Sequence, residues 1–155
     1  MSSFPGRLRE SNAISIDKFT GANLTSDVFF LSHCHQDHMV GLDSIDFYDV
    51  LRGSGRFLYC HPITKELLLH DPRQRYLHLE PFIACREIDA PFTVFSESDG
   101  TPLATVTFLS AKHCPGSVMM FFEFSSGENV LYTGDFRLTR EDWTSFTALR
   151  LNPQR

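Results

Sequence analysis

The histidine-rich segment FFLSHCHQDHMVGL, at residues 29–42, limits most strongly what this chain can fold into. Within six positions it carries four side chains of the kinds that bind metals: His33, His35, Asp37 and His38. Alternation along the preceding apolar strand directs His33 and His35 to one face and turns Cys34 away. Neutral imidazoles and a carboxylate suit Zn²⁺. The pattern predicts a metal site at a strand end, although the four groups need not all bind the same ion.

Two later apolar runs end in further side chains of the same kinds. His113 precedes a Pro-Gly turn in LSAKHCPGSVMMF, and Asp135 ends the run VLYTGD. Gly134 permits a close backbone approach beside Asp135. The two oxygens of a carboxylate can bridge two ions, which a neutral imidazole cannot do. We therefore expect three strand ends to converge on one or two metal ions.

The charge balance argues against simple electrostatic binding of nucleic acid. The 155 residues carry 14 basic and 19 acidic side chains, a net charge of −5, and no Lys/Arg stripe. This disfavours a nucleic-acid binder that relies on a basic surface. A polyanion would need a local positive source, which two bound Zn²⁺ would provide.

The N-terminus has no apolar segment typical of a secretory signal, and no apolar run approaches the ~20 residues of a membrane span. The four cysteines form no Cys-x-x-Cys pair: Cys34, Cys60, Cys85 and Cys114. We therefore expect reduced, mostly buried thiols, no membrane association, and a location in the cytosol or nucleus.

Short runs rich in Val, Phe and Thr predict a chain dominated by strands. They lie at 13–17, 28–33, 57–60, 82–88, 104–111, 117–124 and 129–135. Helices are predicted at 61–71 and 140–150, the second with Thr139 as its N-cap, and a short one at 36–42. The expected fold class is α/β (α+β), a mixed sheet with helices packed outside it. Since so few helices would cover these strands, we also expect the chain to be part of a larger fold.

The motifs together resemble a known family, the metallo-β-lactamase/β-CASP DNA-repair nucleases. The segments that carry the resemblance are ISIDKF, FFLSHCHQDHMVGL, LYCHPITKELLL, HCPGSVMMFFE and VLYTGDFRL. The resemblance implies that residues 1–155 are the N-terminal part of a metallo-β-lactamase domain, half of an α/β/β/α sandwich. The second half of that sandwich, with a further Asp ligand and a late His, and the β-CASP domain would then lie outside this chain.

The resemblance also implies roles for individual residues. His33, His35, His113 and Asp135 match the family's first metal site. Asp37 and His38 match the second site, which shares Asp135, and this trio is expected to be catalytic. Asp17 matches an acidic position near the site, which we interpret as orienting a ligand, with a surface carboxylate at a strand end as the alternative. Zn²⁺ is the expected ion, one or two per chain, with Mg²⁺ or Mn²⁺ as alternatives in the second site.

The implied activity is hydrolysis of DNA phosphodiesters, as a 5′–3′ exonuclease and as an endonuclease that opens hairpins and overhangs. The implied setting is double-strand-break or cross-link repair by end joining in the nucleus. Partners would be DNA ends, a DNA-dependent protein kinase and an end-joining ligase.

Two alternatives stay open: an inactive truncated product that binds without cleaving, and a related hydrolase of esters, thioesters or RNA. Lys112, Ser117 and Arg137 flank the expected site, where either phosphate contact or an ordinary surface or turn role fits them.

Overall fold

The computed structural model describes residues 3–150, so residues 1–2 and 151–155 of the expected domain lie outside the described part. Four strands form a parallel sheet in the order β1-β2-β3-β4. They are β1 (Ile14–Ile16), β2 (Val28–Phe30), β3 (Leu58–Cys60) and β4 (Ile83–Cys85). Their near-continuous apolar sequences are typical of parallel strands that are covered on both faces.

The next four strands form a separate antiparallel sheet, in the order β5-β6-β7-β8. They are β5 (Phe92–Phe95), β6 (Pro102–Ser110), β7 (Val118–Phe124) and β8 (Asn129–Tyr132). Loops of four to seven residues join neighbours in this sheet, and residues 125–128 connect β7 to β8.

Three α-helices cover the sheets: α1 (Ile45–Gly53), α2 (Pro62–Leu69) and α3 (Arg140–Ser145). Short 3₁₀ segments lie at Gly21–Thr25, Gln36–His38, Leu77–Phe82 and Thr147–Leu149. Ser44 caps α1, since its side chain accepts a hydrogen bond from the Phe47 N–H. Thr139 caps α3 in a reciprocal capping box with Asp142, as the sequence predicts.

The layers follow from alternation along the strands. Phe30 points into the core between the two sheets, whereas Phe29 points to the other face of its sheet and packs on Phe47 of α1. On the antiparallel sheet, Phe121 faces outward and belongs to the cluster that contains Phe146, next to α3. The described residues are therefore arranged in helix, sheet, sheet and helix layers.

The α/β class and the layering with helices outside two stacked sheets are confirmed, with two details that sequence alone misses. The parallel and antiparallel strands are divided between two sheets instead of sharing one mixed sheet. The structure also contains α1 and β5, which the sequence analysis did not predict. Among the described residues, no helix has the length and apolar character needed to cross a bilayer.

Candidate metal centre

The expected ligands lie just beyond three strand ends that meet at one edge of the sandwich. His33 and His35 follow β2, His113 follows β6, and Asp135 follows β8. A hydrogen bond from the Val118 N–H to the Ser32 carbonyl, 3.1 Å long, joins the two sheets here. The fold therefore brings together residues that are up to about a hundred positions apart in sequence.

One group of four side chains can face a single ion. Ligand atoms of His33, His35, His113 and Asp135, one from each, lie within 4.8 Å of one another. His35 Nδ1 is 3.1 Å from both His33 Nε2 and His113 Nε2. Asp135 Oδ2 is 3.4 Å from His113 Nε2 and 3.8 Å from His33 Nε2. Three imidazoles and a carboxylate form a donor set that suits Zn²⁺.

A second ion position adjoins the first across Asp135. Asp135 Oδ1 lies 3.6 Å from His38 Nε2, and Asp37 Oδ2 lies 3.9 Å from the same nitrogen. The two oxygens of Asp135 thus face different imidazole groups, as a bridging carboxylate would.

A buried nitrogen at the second position tests whether the residues there fit a metal ion. His38 Nε2 is buried and has no hydrogen-bond partner among residues 3–150. A buried polar atom without a partner costs free energy. A cation at this position would use the lone pair of Nε2, so the residues fit a metal ion.

Asp17 lies behind the ligands, at the end of β1. It is 4% exposed and adopts a left-handed backbone conformation with φ of 59°. His38 Nδ1–H donates to Asp17 Oδ2 over 2.8 Å, and the Ser32 N–H donates to Asp17 Oδ1 over 2.7 Å. Because Nδ1 of His38 carries the proton, Nε2 is left to face Asp37 and Asp135.

Burial and charge have opposite net effects on the two buried histidines. Burial, reinforced by the charge of His38, lowers the pKa of His33 to about 4. Burial would also lower the pKa of His38, but the hydrogen bond and charge of Asp17 outweigh it and raise that pKa above 6.5. Near neutral pH, His33 is therefore a neutral potential ligand, whereas the raised pKa of His38 means that protons compete more strongly with an ion for this imidazole.

The residues that flank the site have structural contacts of their own. Lys112 forms an ion pair with Asp142, which ties the loop before His113 to α3. Ser117 Oγ accepts hydrogen bonds from the backbone N–H groups of His113 and Cys114, both 3.1 Å long. These contacts favour the surface and turn roles for Lys112 and Ser117, while the Arg137 side chain is exposed.

The cysteine between His33 and His35 is directed away from the metal centre. Cys34 Sγ points to the carbonyl of Thr64, 3.7 Å away, and burial raises the pKa of this thiol to about 12. Such a thiol stays protonated and is a poor ligand. All four cysteines are free, as the sequence predicts.

Sequence analysis missed two residues in the network behind the ligands, Ser32 and Tyr132. Both side chains are buried and both donate to Asp17 Oδ2, over 2.6 Å and 2.7 Å. Ser32 adjoins a ligand in sequence, which is a weak signal. Tyr132 lies 115 positions from Asp17, so only the folded chain reveals their contact.

Comparisons with known proteins agree with this geometry. Residues 20–150 match the family described as the beta-lactamase superfamily domain. The chain is 48% identical over 150 residues to protein artemis of Danio rerio, and 46% identical over 144 residues to protein artemis of Homo sapiens. These alignments cover 92% and 90% of this chain. The resemblance inferred from the sequence motifs is thereby confirmed.

A second relative is more distant, and all the alignments share one limit. The chain is 43% identical over 115 residues, 74% of its length, to the 5′ exonuclease Apollo of Rattus norvegicus. The chain spans only about a fifth of the length of these curated relatives: 22% and 20% of the two artemis proteins and 19% of Apollo.

Proposed function

Because the chain belongs to the beta-lactamase superfamily domain family, we propose that it carries part of the metal-binding site of a metal-dependent DNA nuclease. The observation that carries this proposal is the convergence of six ligand-type side chains from three strand ends on two adjacent positions. The similarity to artemis and Apollo supports DNA as the substrate class. Zn²⁺ is the proposed ion, with Mg²⁺ or Mn²⁺ as alternatives in the second position.

We propose that residues 1–155 form the N-terminal part of a metallo-β-lactamase domain. The alignments support this assignment, because they cover 90–92% of this chain but only 20–22% of the artemis proteins. Activities of the whole protein are therefore proposed and not assigned. The proposed activities are exonuclease activity and hairpin- or overhang-opening endonuclease activity. The proposed setting is end joining in the nucleus, and the proposed partners are a DNA-dependent protein kinase and a ligase.

The two ion positions use different side chains, except that both use Asp135. His33, His35, His113 and Asp135 would hold the first ion, and His38, Asp37 and Asp135 would hold the second. When bound, the two ions would supply a nucleophilic water at neutral pH and would stabilise the negative charge that develops on the phosphodiester. They also provide the local positive charge that a chain of net charge −5 otherwise lacks.

The protein's own side chains would accept a proton, orient a ligand and keep bulk water away from part of the site. Asp37 is 38% exposed on its side chain, so it can receive a proton from an attacking water that enters from solvent. Asp17 would hold His38 in the tautomer that presents Nε2. Burial of His33 and His38 keeps bulk water away from the back of the site.

The proposal is tested by DNA cleavage with an Asp37→Asn variant of the longest native chain that contains these residues. Asn keeps the shape of Asp37 but cannot take up a proton, so cleavage of hairpin and overhang substrates should fall at least about 100-fold. Asp49→Asn, which changes an exposed carboxylate on α1, is the matched control and should cleave normally. Cleavage by Asp37→Asn at the rate of this control would refute the role of Asp37.

Assays with other substrates, and a DNA-binding measurement, distinguish the two alternatives. Hydrolysis of an ester, thioester or RNA without hydrolysis of DNA would favour the other hydrolases of this fold. Metal-dependent DNA binding without cleavage would favour an inactive binding product. That alternative is supported by the smaller ligand set of the second position, where three side chains among residues 3–150 would hold an ion, compared with four at the first position.

A further inference from the structure

We propose that Tyr132 and Ser32 are positioning residues that act through Asp17 to couple the two ion positions. The inference rests on the metal centre of the proposed function and adds a link between its two halves. Tyr132 comes from the antiparallel sheet, whereas Ser32 and Asp17 come from the parallel sheet. The link therefore spans the core between the two sheets.

The Tyr132 hydroxyl makes the contact between the sheets. It donates to Asp17 Oδ2 over 2.7 Å, at a site where Tyr132 is 9% exposed and Asp17 is 4% exposed. A hydrogen bond to a buried carboxylate is stronger than one between neutral groups. Tyr132 is the last residue of β8, three positions before Asp135, so this bond fixes the strand end that delivers Asp135.

Gly134 makes this arrangement possible. It has φ of 50°, and a Cβ atom there would lie 3.3 Å from the Tyr132 ring and 3.4 Å from Ser32 Oγ. The chain therefore passes close over the Tyr132 and Ser32 side chains on its way to Asp135, and a larger residue would be strained by the positive φ and would crowd these side chains by a few tenths of an ångström.

Ser32 connects Asp17 to the first ion position. Its hydroxyl donates to Asp17 Oδ2 over 2.6 Å, because a carboxylate can only accept. The contact between Ser32 Oγ and His33 Nδ1, 2.9 Å long, must then be a donation from Nδ1–H to Ser32. This leaves the lone pair of His33 on Nε2, the atom that faces His35 and Asp135.

The Asp17 carboxylate thus sets the tautomers of His33 and His38, which face different ion positions. Asp17 acts directly on His38 and through Ser32 on His33, while Tyr132 holds both the carboxylate and the strand end before Asp135. Loss of the Tyr132 hydroxyl would loosen Asp17 and Asp135 together, and would weaken binding at both positions.

The test is the Tyr132→Phe variant of the full chain, with Zn²⁺ affinity measured by competition with a chelator and the coordination read from the visible spectrum of bound Co²⁺. Zn²⁺ affinity should fall roughly 10-fold or more, as for other groups that orient ligands, and the Co²⁺ spectrum should change. Tyr59→Phe is the matched control, because Tyr59 packs on the same core beside Phe30 and Phe92 without contacting Asp17. It should bind both ions as wild type does.

Each outcome has a defined meaning. Equal Zn²⁺ affinity and equal Co²⁺ spectra in Tyr132→Phe and Tyr59→Phe would overturn this inference and leave the proposed function intact. Absence of Zn²⁺ binding in the wild-type chain would overturn both. If Tyr132→Phe does not fold, Ser32→Ala replaces it, because it removes the hydroxyl that joins Asp17 to His33. Wild-type Zn²⁺ affinity in Ser32→Ala would then overturn the inference.

Discussion

At the scale of residues, the centre depends on which ring nitrogen of each histidine carries a proton. The Ser32–Asp17 pair sets this for His33 and His38 before any ion binds. Burial moves the pKa of His33 down to about 4, whereas for His38 the hydrogen bond and charge of Asp17 outweigh burial and move the pKa up from 6.5. The contributions of these two neighbouring imidazoles to folding stability therefore depend on pH in opposite ways.

The opposite shifts give the metal-free chain a definite pH dependence. Between pH 6.5 and about 4, the unfolded state protonates His33 and the folded state does not, so its contribution to stability falls as pH falls. The contribution of His38 is present below pH 6.5 and is lost as pH rises through its raised pKa. Chemical denaturation of the chain, with metal removed by a chelator, measures both contributions when it is carried out from about pH 4 to above pH 6.5.

Variants separate the His33 contribution from the other titrating groups. His33→Gln should reduce the loss of unfolding free energy between pH 6.5 and 4. His70→Gln, which changes an exposed imidazole at the end of α2, should keep the wild-type slope. The same acid slope in both variants would show that His33 is not held neutral by the fold.

Much of the site at this scale was accessible from the sequence alone. The spacing of His33, His35 and His38, together with strand alternation, was enough to expect a metal position. Tyr132 was not accessible, because a hydrogen bond over 115 positions leaves no local pattern. The role of Gly134 was anticipated only as a close backbone approach and not as a passage over two specific side chains.

At the scale of elements, the strands beneath the centre are held by aromatic packing between the sheets. Phe30 of β2 is fully buried and meets four aromatic rings: Tyr59, Phe92, Phe108 and Phe122, with centroids 5.4–6.5 Å away. β2 has only three residues and leads directly to His33. Its position therefore depends on side-chain packing as well as on ladder hydrogen bonds.

Removing this packing should be costly. Phe30→Ala should lower the free energy of unfolding by about 3–5 kcal/mol, because it opens a cavity between two sheets. Phe95→Ala, at a side chain that is 53% exposed, should change it by less than about 0.5 kcal/mol. Similar losses in both variants, measured by chemical denaturation, would contradict the placement of the core.

The elements themselves were only partly predictable. The Val- and Phe-rich runs located seven of the eight described strands. β5 was missed because its four residues FTVF are short and follow Pro91. α1 was missed although Ser44, Phe47 and Leu51 carry a cap and a helical spacing. The division into two sheets depends on pairing between distant strands, which local patterns do not encode.

At the scale of the whole molecule, metal binding and folding are linked. Ligands from three strand ends are close together only in the folded chain, so Zn²⁺ bound there would stabilise the folded state. At free Zn²⁺ of 100 times the dissociation constant, the gain is about 2.7 kcal/mol, seen as a higher melting temperature. His113→Ala should lose most of this increase and His78→Ala, at an exposed position, should keep it. An equal increase in both would place the stabilising Zn²⁺ elsewhere.

The most direct test of the centre is the metal content of the purified chain, determined by elemental analysis. Wild type should contain one or two zinc ions per chain, and the double variant His33→Ala/His35→Ala should contain only background zinc, because it removes two of the four ligands of the first position. The double variant His70→Ala/His78→Ala, at two exposed histidines, should retain the wild-type content. Zinc in wild type no higher than in His33→Ala/His35→Ala would contradict the existence of the centre.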